Sequence, residues 1–319
     1  MKNLLLILLA GCFAITFGAR AEDYPTKPIR IVVPYPAGSS GDVITRQLGK
    51  LLSEKFSQSV VVDNRPGANG IIGAQVVAQA QPDGYTLLLA TGSVLAMNPH
   101  LVKDLGFNAQ KDFAPIIVVS RAPTLVVVSA ASPYQSLKEL IEAAKKSPGK
   151  LTFASGGEGS PQHIMGERLK RMAGIDLNHI PYKGETPALQ DLMAGQIDLC
   201  FGFVVGAMPH VRSGKFRALA VTGEKRLSIL PDIPTVAEAG VAGYAETSLT
   251  LYLAPQGTPA AIVDKLNDAF RSAFLTMKKD ILERGSEFIA SSPQGAAIML
   301  ESEYQRNGKV VKELGLKQQ

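Results

Sequence analysis

Short apolar runs along this chain alternate with stretches whose apolar positions recur every three or four residues. Ile29-Arg30-Ile31-Val32-Val33 reads as a strand and Pro34 to Gly41 as a loop, after which Ile44, Leu48, Leu51 and Leu52 fall on one helical face. Val60-Val61-Val62 reads as a second strand. Gly67-Ala68-Asn69-Gly70 turns into a helix carrying Ile72, Val76 and Val77, and Pro82-Asp83-Gly84 is a turn before a strand from Tyr85 to Ala90. This repetition of strand, loop and helix predicts a largely parallel sheet covered by helices.

The pattern restarts after Arg121-Ala122-Pro123. A strand from Thr124 to Ser129 leads to Ser136-Leu137-Lys138-Glu139, a capping box, and that helix ends at Lys145-Lys146. A strand from Leu151 to Ala154, a loop from Ser155 to Ser160 and a helix from Pro161 follow. Thr186-Pro187 reads as an N-cap with proline at N1, and strands are expected at Ile197 to Phe203 and Ala218 to Val221. From Thr247 the chain supplies one strand, Leu249 to Leu253, and two helices, opened by Thr258-Pro259 and Ser292-Pro293. The first of these carries Ile262, Leu266, Phe270 and Phe274. One strand and two helices do not make a stable third unit, so this tail is expected to return to the first. The expectation is therefore an α/β protein of two lobes. Lobe 1 comprises residues 22–121 plus 246–319 and lobe 2 comprises 122–245, with a hinge where the chain crosses twice and a cleft at the carboxyl ends of the strands.

The start of the chain modifies this picture. Met1-Lys2-Asn3 precedes an apolar run to Gly18 that ends in Ala19-Arg20-Ala21, the three parts of a secretory signal peptide, with cleavage expected after Ala21. The run is short for a membrane span. Leu9-Ala10-Gly11-Cys12 resembles a lipobox, and lipidation of Cys12 is the second reading. Cleavage after Ala21 leaves 298 residues and lowers the formal charge from +5 to +3. No cluster of Lys and Arg interleaved with aromatics marks a nucleic-acid surface. Cys200 is then the only cysteine, expected to be a buried, inert thiol.

Catalytic templates fail. Gly38-Ser39-Ser40-Gly41-Asp42 is no nucleophile elbow, and neither a phosphate loop nor a dinucleotide fingerprint is present. His100, His163, His179 and His210 show no metal-ligand spacing, so no metal or other cofactor is expected. Ser160 and His163 suit capping and polar lining better than nucleophile and base. What remains is a set of Gly/Ser-rich loops, each following a strand and opening a helix: Ala37 to Asp42, Ser155 to Ser160, and Lys183 to Thr186, with Thr91 to Asn98 as a fourth segment. Helix N-termini present free N–H groups and the positive end of the macrodipole, so such loops attract a carboxylate or phosphate. Asp42 reads as an N-cap or as a cleft residue. Lys183 is a solvated charge or a counter-ion, and Tyr35 is a cleft wall or a packing aromatic.

Several stretches resemble one family. They are Tyr24-Pro25-Thr26-Lys27-Pro28-Ile29-Arg30 with Val32 to Gly38; Asp63-Asn64-Arg65-Pro66-Gly67-Ala68 with Gly70 and Gly73; Ala80 to Leu87; Pro181-Tyr182-Lys183-Gly184 with Pro187 to Leu189 and Gly195-Gln196-Ile197-Asp198; and Leu253 to Pro259. Together they are similar to the tripartite tricarboxylate transporter receptors, the Bordetella uptake gene (Bug) family. The resemblance implies a periplasmic binding-protein fold of the type II, Venus-flytrap kind. It also implies a monomeric, non-enzymatic receptor that delivers a small organic acid to a membrane permease. By position, the ligand-binding residues it implies are Tyr35, Ala37, Ser39, Ser40, Asp42, Thr91, Ser93, Ser155, Gly157, Ser160, His163, Lys183, Gly184 and Asp198. The family usually has two adjacent glycines in the first loop. Ser39 replaces the second here, so the identity of a family ligand does not carry over. A hydrolase or isomerase acting on a carboxylate, and a sensor for a signalling partner, are the alternative readings.

Overall fold

The strands divide between two sheets, and the division sets where a ligand can bind. The computed structural model describes residues 24–315 and 318. The leader, its cleavage point after Ala21 and Cys12 lie outside the described residues. In chain order the strands are β1 (Ile29–Val33), β2 (Val60–Asn64), β3 (Thr86–Thr91), β4 (Phe113–Ala122), β5 (Thr124–Ser129), β6 (Thr152–Ser155), β7 (Asn178–Pro181), β8 (Leu199–Phe203), β9 (Phe216–Val221), β10 (Ser248–Pro255) and β11 (Glu287–Phe288). The first sheet has the order β11-β4-β10-β3-β1-β2 and the second β7-β6-β8-β5-β9.

Both sheets are mixed rather than largely parallel. β1 runs parallel to β2 and β3, and β6 runs parallel to β7 and β8, as strand–helix–strand units require. The antiparallel strands are those next to the crossings between sheets: β10 against β3 and β4, and β5 against β8 and β9. β4 was not evident in the periodicity, because Phe113 to Ala122 holds a proline and no clean alternation. It is recruited by pairing along the whole of β10.

The helices are α1 (Ser40–Phe56), α2 (Ile71–Ala78), α3 (Asn98–Leu101), α4 (Leu137–Lys146), α5 (Pro161–Ala173), α6 (Glu185–Met193), α7 (Val204–Arg212), α8 (Ala260–Thr276), α9 (Lys278–Glu283) and α10 (Pro293–Glu313). α8 buries Ile262, Leu266, Phe270 and Phe274 against the first sheet, together with Leu48 and Leu52 of α1. α4 and α5 cover one face of the second sheet, through Leu137, Leu140, Met165 and Leu169. Cys200 is buried, and burial raises its thiol pKa beyond the usual range, so it is inert.

The chain passes between sheets at Pro123, between β4 and β5, and again after β9, before β10. Thr222, fully buried, ties the two passages together. Its amide donates to Thr124 O at 3.0 Å and its hydroxyl accepts from Thr124 N at 2.8 Å. The same hydroxyl donates to Glu246 O at 2.8 Å, while its carbonyl accepts from Glu246 N at 2.7 Å. Arg168 of α5 pairs with the Glu246 carboxylate. A buried hydroxyl that both donates and accepts has no apolar substitute of equal value, because its partners are left unpaired. Thr222→Val, nearly the same in shape, is therefore expected to lower stability by about 1–3 kcal/mol. Urea unfolding of the two proteins measures the difference.

Candidate functional site

The loops singled out in the sequence lie at the carboxyl ends of β1, β3, β6 and β7. In lobe 1, Ser39 caps α1 by accepting from the Asp42 amide. Asp42 is therefore not the N-cap but stands in the first helical turn. It is buried, and its carboxylate accepts from the Gly38 amide at 2.8 Å and from Asn64 Nδ2 at 2.9 Å, and it pairs with Arg46 at 3.0 Å. These partners hold it down to a pKa of about 2, the Arg46 hydrogen bond contributing most. Asp42 thus shapes the loop from beneath, and its acceptor positions are occupied by protein. Ala37, Gly38 and Ser40 are exposed above it. Tyr35 Oη and Thr91 Oγ1 share a hydrogen bond at 2.8 Å, which fastens this loop to the end of β3, and burial raises the Tyr35 pKa. Ser93 opens a π-helical segment, Ser93–Met97, that runs into α3.

In lobe 2 two loops are joined directly. Tyr182 N donates to Ser155 O at 3.0 Å and Gly184 N to Gly156 O at 3.2 Å. Gly157 has φ +130°, and a Cβ there would meet Tyr182 O at 3.2 Å, so both its conformation and its surroundings require glycine. Ser155 is fully buried; its hydroxyl accepts from the Gly157 amide at 3.1 Å and donates to Gly157 O at 3.0 Å. Ser160 caps α5 by accepting from the His163 amide, and Gly159 N donates to His163 Nδ1 at 3.1 Å. The side chains of Ser160 and His163 thus have separate partners and do not form a nucleophile–base pair. Lys183 is exposed beside this junction.

α6 starts at Glu185, not after Thr186, because Gly184, at φ +107°, serves as N-cap without a side-chain acceptor. The first amides of α6 are left for other partners. Asp198 does not join the group. It accepts from Thr152 N at 2.7 Å and Thr152 Oγ1 at 2.9 Å, at the amino ends of β6 and β8, whereas the loops lie at the carboxyl ends.

The lobes meet beside these loops. Ile164 of α5 packs with Met97, Val310 and Val311, and Leu101 lies against Gly159. The segment after β3 and the loop after β6, which belong to different sheets, are therefore in contact.

Two carboxylates near the loops escaped sequence reasoning. Glu185 accepts from the Phe203 amide and burial pushes it up to about 7. Glu303 of α10 lies where a Cβ on Gly92 would sit, 2.1 Å from its Oε1, and burial pushes it also to about 7. Only the position of Glu185 beside Lys183-Gly184 could have signalled either. His163 and His179 stack with centroids 4.0 Å apart and planes at 6°. Desolvation lowers both pKa values, that of His179 to about 4. Their separation in sequence hid this pairing, which β7 creates by running beside β6.

Asp42 yields a pH prediction. Its folded pKa, about 2, lies below the unfolded value of about 3.9. The stability it contributes is present above pH ~4 and is lost as pH falls toward 2. Asp42→Asn is expected to flatten that acid limb relative to the parent protein, as measured by chemical unfolding over this range.

Comparison with known proteins agrees with this architecture. Residues 44–316 match the family described as tripartite tricarboxylate transporter family receptor. A UPF0065 protein of Bordetella bronchiseptica is 40% identical over 284 residues, covering 88% of this chain and 84% of that protein. A Rhodopseudomonas palustris protein solved with adipate is 37% identical, with a TM-score of 0.84, covering 93% of this chain and 100% of the other. MatC of the same organism, solved with bound malate, is 29% identical, with a TM-score of 0.77 over 90% of this chain and 100% of the other. The chain belongs to the tripartite tricarboxylate transporter receptor family and has its two-lobed periplasmic-binding-protein fold.

Proposed function

We propose that this protein captures a small carboxylate outside the cytoplasm by closing its two lobes and hands it to a membrane permease of the tripartite tricarboxylate type. The supporting observation is the pair of glycine- and serine-lined loop systems at the carboxyl ends of strands in both sheets, next to the contact of Met97 with Ile164 and of Leu101 with Gly159. Helix amides at Ser40 and Gly41 in lobe 1 and at Glu185 and Thr186 in lobe 2 are donors without intrahelical acceptors. A carboxylate between them satisfies both sets and draws on the positive ends of α1 and α6. Thr91, Ser93, Ser160 and His163 line the border, and Lys183 supplies a further positive charge. Relatives solved with adipate and malate support the ligand class.

A ligand that touches both lobes binds the closed form better, and this difference drives closure. The lobes are residues 22–121 plus 246–319 and residues 122–245. The functional unit is a monomer, exported by the leader that ends at Ala21.

Thermal unfolding in the presence of adipate, malate, citrate and an amino-acid panel tests the reading. A true ligand at a hundredfold excess over its Kd adds about 2.7 kcal/mol to stability and raises the melting temperature. No shift with any organic acid, or steady turnover of one, contradicts it. Gly157→Ala, which forces a Cβ into a positive-φ position against Tyr182 O, is expected to weaken binding of the best acid at least about tenfold by displacing the lobe 2 loop. Calorimetric titration of both proteins measures the ratio.

A further inference from the structure

A carboxylate and two imidazoles come together at the edge of the second sheet. Glu158, exposed on the loop between β6 and α5, places Oε2 3.6 Å from His163 Nδ1 and Oε1 3.5 Å from His179 Nδ1. The Gly159 amide donates to His163 Nδ1, which therefore carries a lone pair. Ser155 Oγ lies 3.0 Å from Gly157 O and 2.7 Å from His179 Nε2; with its proton directed to Gly157 O it accepts from His179 Nε2–H, the tautomer that leaves a lone pair on His179 Nδ1. A ligand atom from each of the three residues lies within 4.8 Å of the others.

We propose that Glu158, His163 and His179 form a binding site for one divalent d-block cation of the zinc type. Two imidazoles and a carboxylate are a donor set that Zn2+ takes, with water completing a tetrahedron. Ser155 supplies the outer contact that orients such a histidine, by accepting from the ring nitrogen that faces away from the site. Magnesium and calcium, which require mostly oxygen ligands, do not suit it. Lone pairs on parallel rings do not converge, so binding opens the stack and draws His163 Nδ1 from the Gly159 amide. The terminal ring torsion of histidine is soft enough to allow this. The site shares His163 with the border assigned to the carboxylate and otherwise uses side chains rather than backbone donors, so zinc binding is measured with no organic acid present and carboxylate binding with no zinc. Because Glu158 adjoins Gly157, a bound cation would also stiffen the lobe 2 loop.

Calorimetric titration of the purified, chelator-stripped protein with zinc chloride at neutral pH tests the proposal, with magnesium chloride as the comparison. The expected result is a single equivalent of zinc bound and no heat from magnesium. His179→Gln, whose amide can still reach Ser155 Oγ, and Glu158→Gln are each expected to weaken zinc binding at least about tenfold. The imidazole resonances of the unmodified protein give a reading that needs no variant. Zinc is expected to shift those of His163 and His179 and to leave those of His100 and His210 in place. Absence of zinc binding, unchanged affinity in His179→Gln, or shifts confined to His100 or His210 overturns the site.

Discussion

The double crossing between the two sheets, tied at Thr222, is the constraint on which the rest of the structure depends. Four hydrogen bonds link this one residue to Thr124 on the outgoing strand and Glu246 on the returning segment. The two passages are thereby held side by side. Antiparallel pairing of β4 with β10 carries the tie into the first sheet, and pairing of β5 with β9 carries it into the second. The segments that follow β3 and β6 are then in contact, with Met97 and Leu101 on one side and Ile164 and Gly159 on the other.

The proposed site answers a negative charge chiefly with backbone dipoles. The buried ionised group closest to the loops, Asp42, is neutralised by Arg46, Asn64 and the Gly38 amide, so it holds the loop without repelling an anion directly. Helix amides cost no side-chain entropy to order, and Gly157 and Gly184 let them approach a guest closely. Such a site recognises a carboxylate as a class.

Much of the frame was legible in the sequence because it rests on local rules. The alternation of strands and helices, the caps at Ser136, Ser160 and Ser292, and the packing of α8 against the first sheet follow from periodicity and from residue types at helix starts. What was not legible depends on pairing between distant segments. β4 acquires its strand character from β10, and Thr222 gains its role only once Thr124 and Glu246 are neighbours. His163 and His179 meet only because β7 runs beside β6. Asp198 shows the opposite failure: it matches a family stretch, yet it sits at the amino end of β8 with Thr152. Position in a motif gave its identity but not the end of the sheet on which it lies.

Both lobes contributing donors to one guest is the central claim, and backbone amide resonances report it residue by residue. In a titration with the acid that most stabilises the protein, the amides of Ser40 and Gly41 and those of Gly184 to Thr186 should move together and saturate at one Kd. Movement confined to one lobe, or two sets saturating at unrelated concentrations, would contradict a shared site.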